Sequence, residues 1–99
     1  MATYWLSFRI KDDATYSERY NALVETVRVN SSKWWLETSS FFVFNSSDGI
    51  DDLATAVKYA IDEAIDIVLI GMPDFKSARL IGANKDQDIF ALIPFVKAV

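Results

Sequence analysis

The side chains in this chain best placed to do chemistry are the adjacent carboxylates Asp12 and Asp13. Carboxylate and water oxygens are what Mg²⁺ prefers. If two protomers brought these turns together, the four acids would form a candidate metal site, and Asp12 and Asp13 would be its candidate catalytic residues. The same pair reads more simply as a solvated turn ahead of a helix, where adjacent acids are common. The chain has no His and no Cys. A Ser-His-Asp triad, a thiol nucleophile, a disulfide framework and a thiolate or imidazole metal site are therefore excluded within it.

Other charged clusters have ordinary explanations. Asp48, Asp51 and Asp52 lack the regular ligand spacing and terminal Glu of a calcium loop. They fit helix capping and the favourable dipole at a helix start. Gly71-Met72-Pro73-Asp74 and Gly82-Ala83-Asn84-Lys85 lack the glycine spacing that cradles phosphates, and they read as turns. Lys76, Arg79 and Lys85, with Phe75 nearby, are the densest basic stretch. They are candidates for contact with a nucleic-acid backbone by charge and stacking, or a solvated edge that discourages aggregation. No cofactor is implied.

These residues must be positioned by a short series of elements. Over 3–10, Tyr4, Leu6, Phe8 and Ile10 share one face and Thr3, Trp5, Ser7 and Arg9 the other, the alternation of a strand packed on one side. Thr15 and Glu18 have the spacing of a capping box. It opens a helix over 16–29 with Tyr16, Tyr20, Leu23, Val24 and Val27 on one stripe. Aromatic segments around Trp34-Trp35-Leu36 and Phe41–Phe44, on either side of Thr38-Ser39-Ser40, predict a hairpin. A second helix is expected over 50–64, capped by Ser47 or Asp48, with Ile50, Leu53, Ala54, Val57 and Ile61 buried. An apolar strand follows over 65–72, interrupted only by Asp66. The order is β-α-β-β-α-β, the ferredoxin-like arrangement. The expected fold is α+β, with a four-stranded antiparallel sheet and two helices on one face.

Residues 74–99 exceed what that motif needs. They suggest a short strand over 78–81 ended by Gly82. A short helix follows through Ile89, Leu92 and Ile93, capped by Asp86 or Asp88 and stopped by Pro94. The apolar end of this tail is expected to pack on its own sheet or on a partner's.

Ninety-nine residues, 52% of them hydrophobic, suit a single domain with a real core. Three Trp, four Tyr and seven Phe are many for a domain this small, whose surface is large relative to its volume, which points to a subunit interface. Trp34 and Trp35 are consecutive, so they face opposite sides of a strand; one is expected in the core and the other on the open face. Trp5, Trp34, Trp35, Phe90 and Phe95 are the candidate dimer residues. The net charge of −4 disfavours non-specific binding to nucleic acid or an anionic membrane. The opening Met1-Ala2-Thr3-Tyr4-Trp5 lacks the basic region and cleavage site of a targeting peptide, and no apolar run is long enough to span a bilayer. A cytoplasmic location is expected.

The opening strand residues Thr3 to Ile10, the helix carrying Tyr16 and Tyr20, and Trp34-Trp35-Leu36-Glu37-Thr38-Ser39-Ser40 before an aromatic strand resemble the CRISPR-associated Cas-two-like proteins and their SinR-like relatives. The resemblance covers about the first two-thirds of the chain. It implies a ferredoxin-like homodimer with the two sheets facing each other, and a C-terminal segment that often adds a strand to the partner's sheet. Nuclease members are metal-dependent and use an Asp at the end of the first strand. The matching position here holds Arg9. The departure favours a non-catalytic interaction module over a metal-dependent endonuclease acting through Asp12 or Asp13.

Overall fold

A computed structural model describes all 99 residues. The alternation read in the opening segment forms β1 (Ala2–Arg9), with Tyr4, Leu6 and Phe8 buried and Thr3, Ser7 and Arg9 exposed. The chain continues through α1 (Tyr16–Val29), β2 (Lys33–Trp35), β3 (Phe41–Ser46), α2 (Ile50–Ala60), β4 (Ile67–Met72), β5 (Phe75–Gly82), α3 (Ile89–Leu92) and β6 (Val96–Ala98). The strands form one α+β sheet in the order β2-β3-β1-β4-β5-β6. β1 pairs antiparallel with both β3 and β4. Those two strands therefore run in the same direction on either side of it, and α2 carries the chain across.

The sheet is six-stranded and mixed, not the four-stranded antiparallel sheet expected. Two features account for the difference. Pro73-Asp74 is a tight connection, so the chain folds straight back and β5 pairs antiparallel with β4 over its length, with a register shift between Gly71 and Met72. The chain then crosses the sheet and returns as β6, which pairs with β5 in parallel through Ala78–Val96, Arg79–Lys97 and Leu80–Ala98.

Both long helices lie on one face. Leu23 and Val27 of α1 and Leu53, Ala54 and Val57 of α2 meet Leu6, Phe42, Phe44, Val68 and Ile70 of the sheet in one continuous core. Leu6 and Leu23 are wholly excluded from solvent; truncation of such a residue to Ala costs about 2–5 kcal/mol. The helical stripes agree with the sequence reading, but the ends do not. Thr15 makes no side-chain cap; instead the Asp13 carboxylate accepts the Thr15 N–H at 3.0 Å. Gly49, rather than Ser47 or Asp48, occupies the start of α2 without a side-chain cap. α2 stops at Ala60 rather than 64 because the Asp62 N–H turns aside to the Asp66 carboxylate at 2.9 Å. The following strand accordingly begins at Ile67.

The C-terminal segment packs on its own sheet, on the face opposite α1 and α2. Ala78, Leu80 and Val96 form a second small core. Ile67 and Leu69 of β4 and Ile89, Phe90 and Ile93 from the α3 region close over it. β5 is longer than the short strand expected, and Asp88 precedes α3 without making a side-chain cap. Half of the second sheet face, over β4 and β5, is thus covered from within the chain. The half over β2, β3 and β1 is not.

Candidate interaction surface

The register of the sheet builds one row across its uncovered face. Trp35 lies opposite Val43, Val43 opposite Trp5, Trp5 opposite Gly71, and Gly71 opposite Ala78. Paired residues point to the same side of a sheet, so Trp35, Val43 and Trp5 stand side by side. The Trp5 indole fits over Gly71, occupying the space where a Cβ on that residue would sit. Phe41 stacks on Trp5 with ring centroids 6.3 Å apart and planes 20° apart. Trp35 retains 46% of its surface and Phe41 38%, whereas Trp5 is half-buried by its neighbours. The result is an aromatic patch bordered by the polar side chains of Thr3, Ser7 and Asn45.

The candidate dimer residues do not all belong to this patch. Trp34 lies opposite Phe44 of the helix-side core, beneath the Arg28 guanidinium at 6.0 Å from the ring centroid. It remains 44% exposed, so neither of the two tryptophans is a core residue. A three-residue edge strand has no further strand or helix to bury its outer ring. Phe90 packs into the chain's own second cluster, and Phe95 is exposed near β6.

Asp12 and Asp13 take different roles. Asp12 is exposed. Asp13 accepts from Arg19 Nη1 at 3.1 Å as well as from the Thr15 backbone. The Arg19 hydrogen bond, with smaller help from the Thr15 N–H, holds the Asp13 carboxyl below the usual carboxylate range. Arg19 also donates from Nη2 to the Lys11 carbonyl at 3.0 Å and from Nη1 to the Thr15 hydroxyl. Its Nε reaches Oδ2 of Asp66 at 2.9 Å. Asp66 is fully buried, and its carboxylate also accepts the Lys11 and Asp62 N–H groups, each at 2.9 Å. The hydrogen bonds it donates to Asp66 and then to Asp13 raise the Arg19 pKa above its ordinary value.

This polar knot ties the β1–α1 turn to the α2–β4 turn. It is the principal feature that the sequence reading missed. The signal was present in Asp66, a carboxylate inside an apolar run: a buried charge demands a partner. Nothing local identifies that partner as Arg19.

The basic stretch is dispersed. Arg79 points to the helix side and pairs with Asp51 at 2.6 Å, and this bond lowers the Asp51 pKa. Lys76 stands near the start of β5 and Lys85 beyond its end, roughly 20 Å or more apart at the rise of a strand. No three acidic side chains converge as a metal centre, and no helix is long and apolar enough to cross a membrane. No protein-family model matches the sequence, and no curated protein matches it.

Proposed function

We propose that this chain is a non-catalytic interaction module that acts as a homodimer in the cytoplasm. The ferredoxin-like arrangement β2-β3-β1-β4 is its platform, and the Trp35–Val43–Trp5 row with Phe41 is its contact surface. The observation that carries the reading is this patch of aromatic side chains, exposed on a sheet face that the chain covers only in part. Contiguous exposed aromatics rimmed by polar groups favour protein contact. A twofold pairing of like faces would bring the row of one protomer onto that of the next.

The likeness to the Cas-two-like and SinR-like group supports the same geometry. The departure at Arg9, exposed at the end of β1, weighs against carrying over its nuclease chemistry. So does the engagement of Asp13 with Arg19. Asp12 borders a cavity shared with Arg9, Lys11 and Lys85, and three cations there oppose the approach of Mg²⁺.

The test is solution mass by light scattering across a dilution series, for the wild type and for Trp35→Glu and Phe41→Glu. Dimeric wild type and monomeric, folded variants are expected. A wild type that is monomeric at every concentration overturns the dimer. Mg²⁺-dependent cleavage of RNA or DNA that is lost in Asp12→Asn or Asp13→Asn overturns the non-catalytic reading and installs the endonuclease in its place.

A further inference from the structure

The cations of this acidic protein are unevenly placed. Of its ten Lys and Arg residues, Arg19, Lys58 and Arg79 are held in ion pairs. Three of the remaining seven, Arg9, Lys11 and Lys85, line one cavity of about 470 Å³ at the end of β1, against a single carboxylate, Asp12. Arg9 and Lys11 are near neighbours in the chain, and the antiparallel pairing of β1 with β4 and of β4 with β5 brings the distant Lys85 beside them. Three cations against one acid make this cavity a seat for an anion. Arg9 adds the planar fork suited to a phosphate.

Arg9 also borders a second cavity, of about 380 Å³. Its floor is apolar, made by Ile67, Leu69 and Leu80 of the sheet and Ile89 of α3, and its edge carries Asp86 and Asp88. Asp86 uses Oδ1 to hold the Asp88 N–H at 2.9 Å. The volume is that of a small-molecule site, and an apolar floor with a few polar groups is the usual composition of one. The two carboxylates disfavour a second anion or a plain acyl chain, which offers them no donor. They favour a flat body that carries N–H groups.

We propose that these two adjoining cavities form one binding site for a nucleoside monophosphate whose base bears an exocyclic amine. The phosphate sits among Arg9, Lys11 and Lys85. The base lies on Ile67 and Leu69 and directs its amine at Asp86 or Asp88. Arg9, shared by both cavities, marks the junction between phosphate and body. The site stands on different residues from the aromatic patch and does not rest on the dimer reading.

Isothermal titration calorimetry on the full chain, with CMP, UMP, cytidine and inorganic phosphate as probes, tests the proposal. CMP is expected to bind at least tenfold more tightly than cytidine or phosphate, because only CMP engages both cavities. Its affinity should fall as salt rises. Arg9→Gln and Lys85→Gln should each weaken CMP at least tenfold without altering the circular dichroism spectrum, since both residues are exposed. The double variant Asp86→Asn/Asp88→Asn should erase a preference for CMP over UMP. The proposal is overturned by the absence of CMP binding at millimolar concentration, by CMP affinity unchanged in Arg9→Gln, or by inorganic phosphate binding as tightly as CMP.

Discussion

Replacing Asp66 by Ala removes the centre of the polar knot, and its cost can be worked from the structure. The carboxylate is fully buried and accepts the Lys11 and Asp62 N–H groups at 2.9 Å each. Hydrogen bonds to a charged acceptor are worth about 1.5–3 kcal/mol each. Both amides belong to partly buried turns, where water can reach them in the variant, so the lower figure applies and the two together amount to about 3 kcal/mol. The loss of Arg19 as a partner adds to this. Against a total stability of about 5–15 kcal/mol for a domain, the variant should remain folded but marginal. With a urea slope of about 1–2 kcal/mol/M for a protein of this size, the unfolding midpoint should fall by roughly 1.5–3 M. Equilibrium urea denaturation followed by tryptophan fluorescence measures it. The control is Lys58→Ala, which breaks the exposed pair of Lys58 with Glu63 at 3.5 Å and should cost less than about 0.5 kcal/mol. A midpoint for Asp66→Ala within 0.5 M (roughly 1 kcal/mol or less) of the wild type refutes the reasoning, because the knot would then contribute no more than a surface pair.

Three further outcomes are expected. Gly71→Ala should displace the Trp5 indole from its seat over β4, visible as a change in near-ultraviolet circular dichroism; an unchanged aromatic spectrum contradicts the packing described. Gly82 has φ +110°, and a Cβ there would run into the Asp66 carbonyl, so Gly82→Ala should destabilise by about 2 kcal/mol or more in thermal melts. Asp13 and Asp51 both have folded-state pKa values below their ordinary ones. Their contribution is therefore present above the unfolded carboxylate pKa, near pH 4, and is lost as the pH falls through their folded values. Acid titration should show stability declining below about pH 4, less steeply in Asp13→Asn; an acid limb of equal slope in that variant removes Asp13 from the account.

Local pattern sufficed where burial is set by period. The alternation in β1 and the stripes of α1 and α2 place Leu6, Leu23, Leu53 and Val57 in the core, and the structure agrees. Helix ends were less legible. Thr15 and Glu18 have capping-box spacing, yet the turn is organised by Asp13 and Arg19, because a buried carboxylate 47 residues away from Arg19 competes for the same guanidinium. An exposed aromatic face was legible in kind. The aromatic content called for one, but only the register of β2, β3, β1 and β4 decided that Trp35 joins Trp5 and that Trp34 does not.

By itself the sequence determined the α+β class, the order of the elements through β4, the absence of thiol and imidazole chemistry, and the two faces of β1. These follow from composition and from periods of 2 and 3.6 residues, which act within a few neighbours along the chain. Tertiary structure alone decided the pairing of Arg19 with Asp66, the return of the tail onto its own sheet as β5 and β6, and the gathering of Arg9, Lys11 and Lys85 around one cavity. Each joins residues distant in sequence, and such pairings are fixed by where a buried charge or an apolar edge finds its partner once the core has closed.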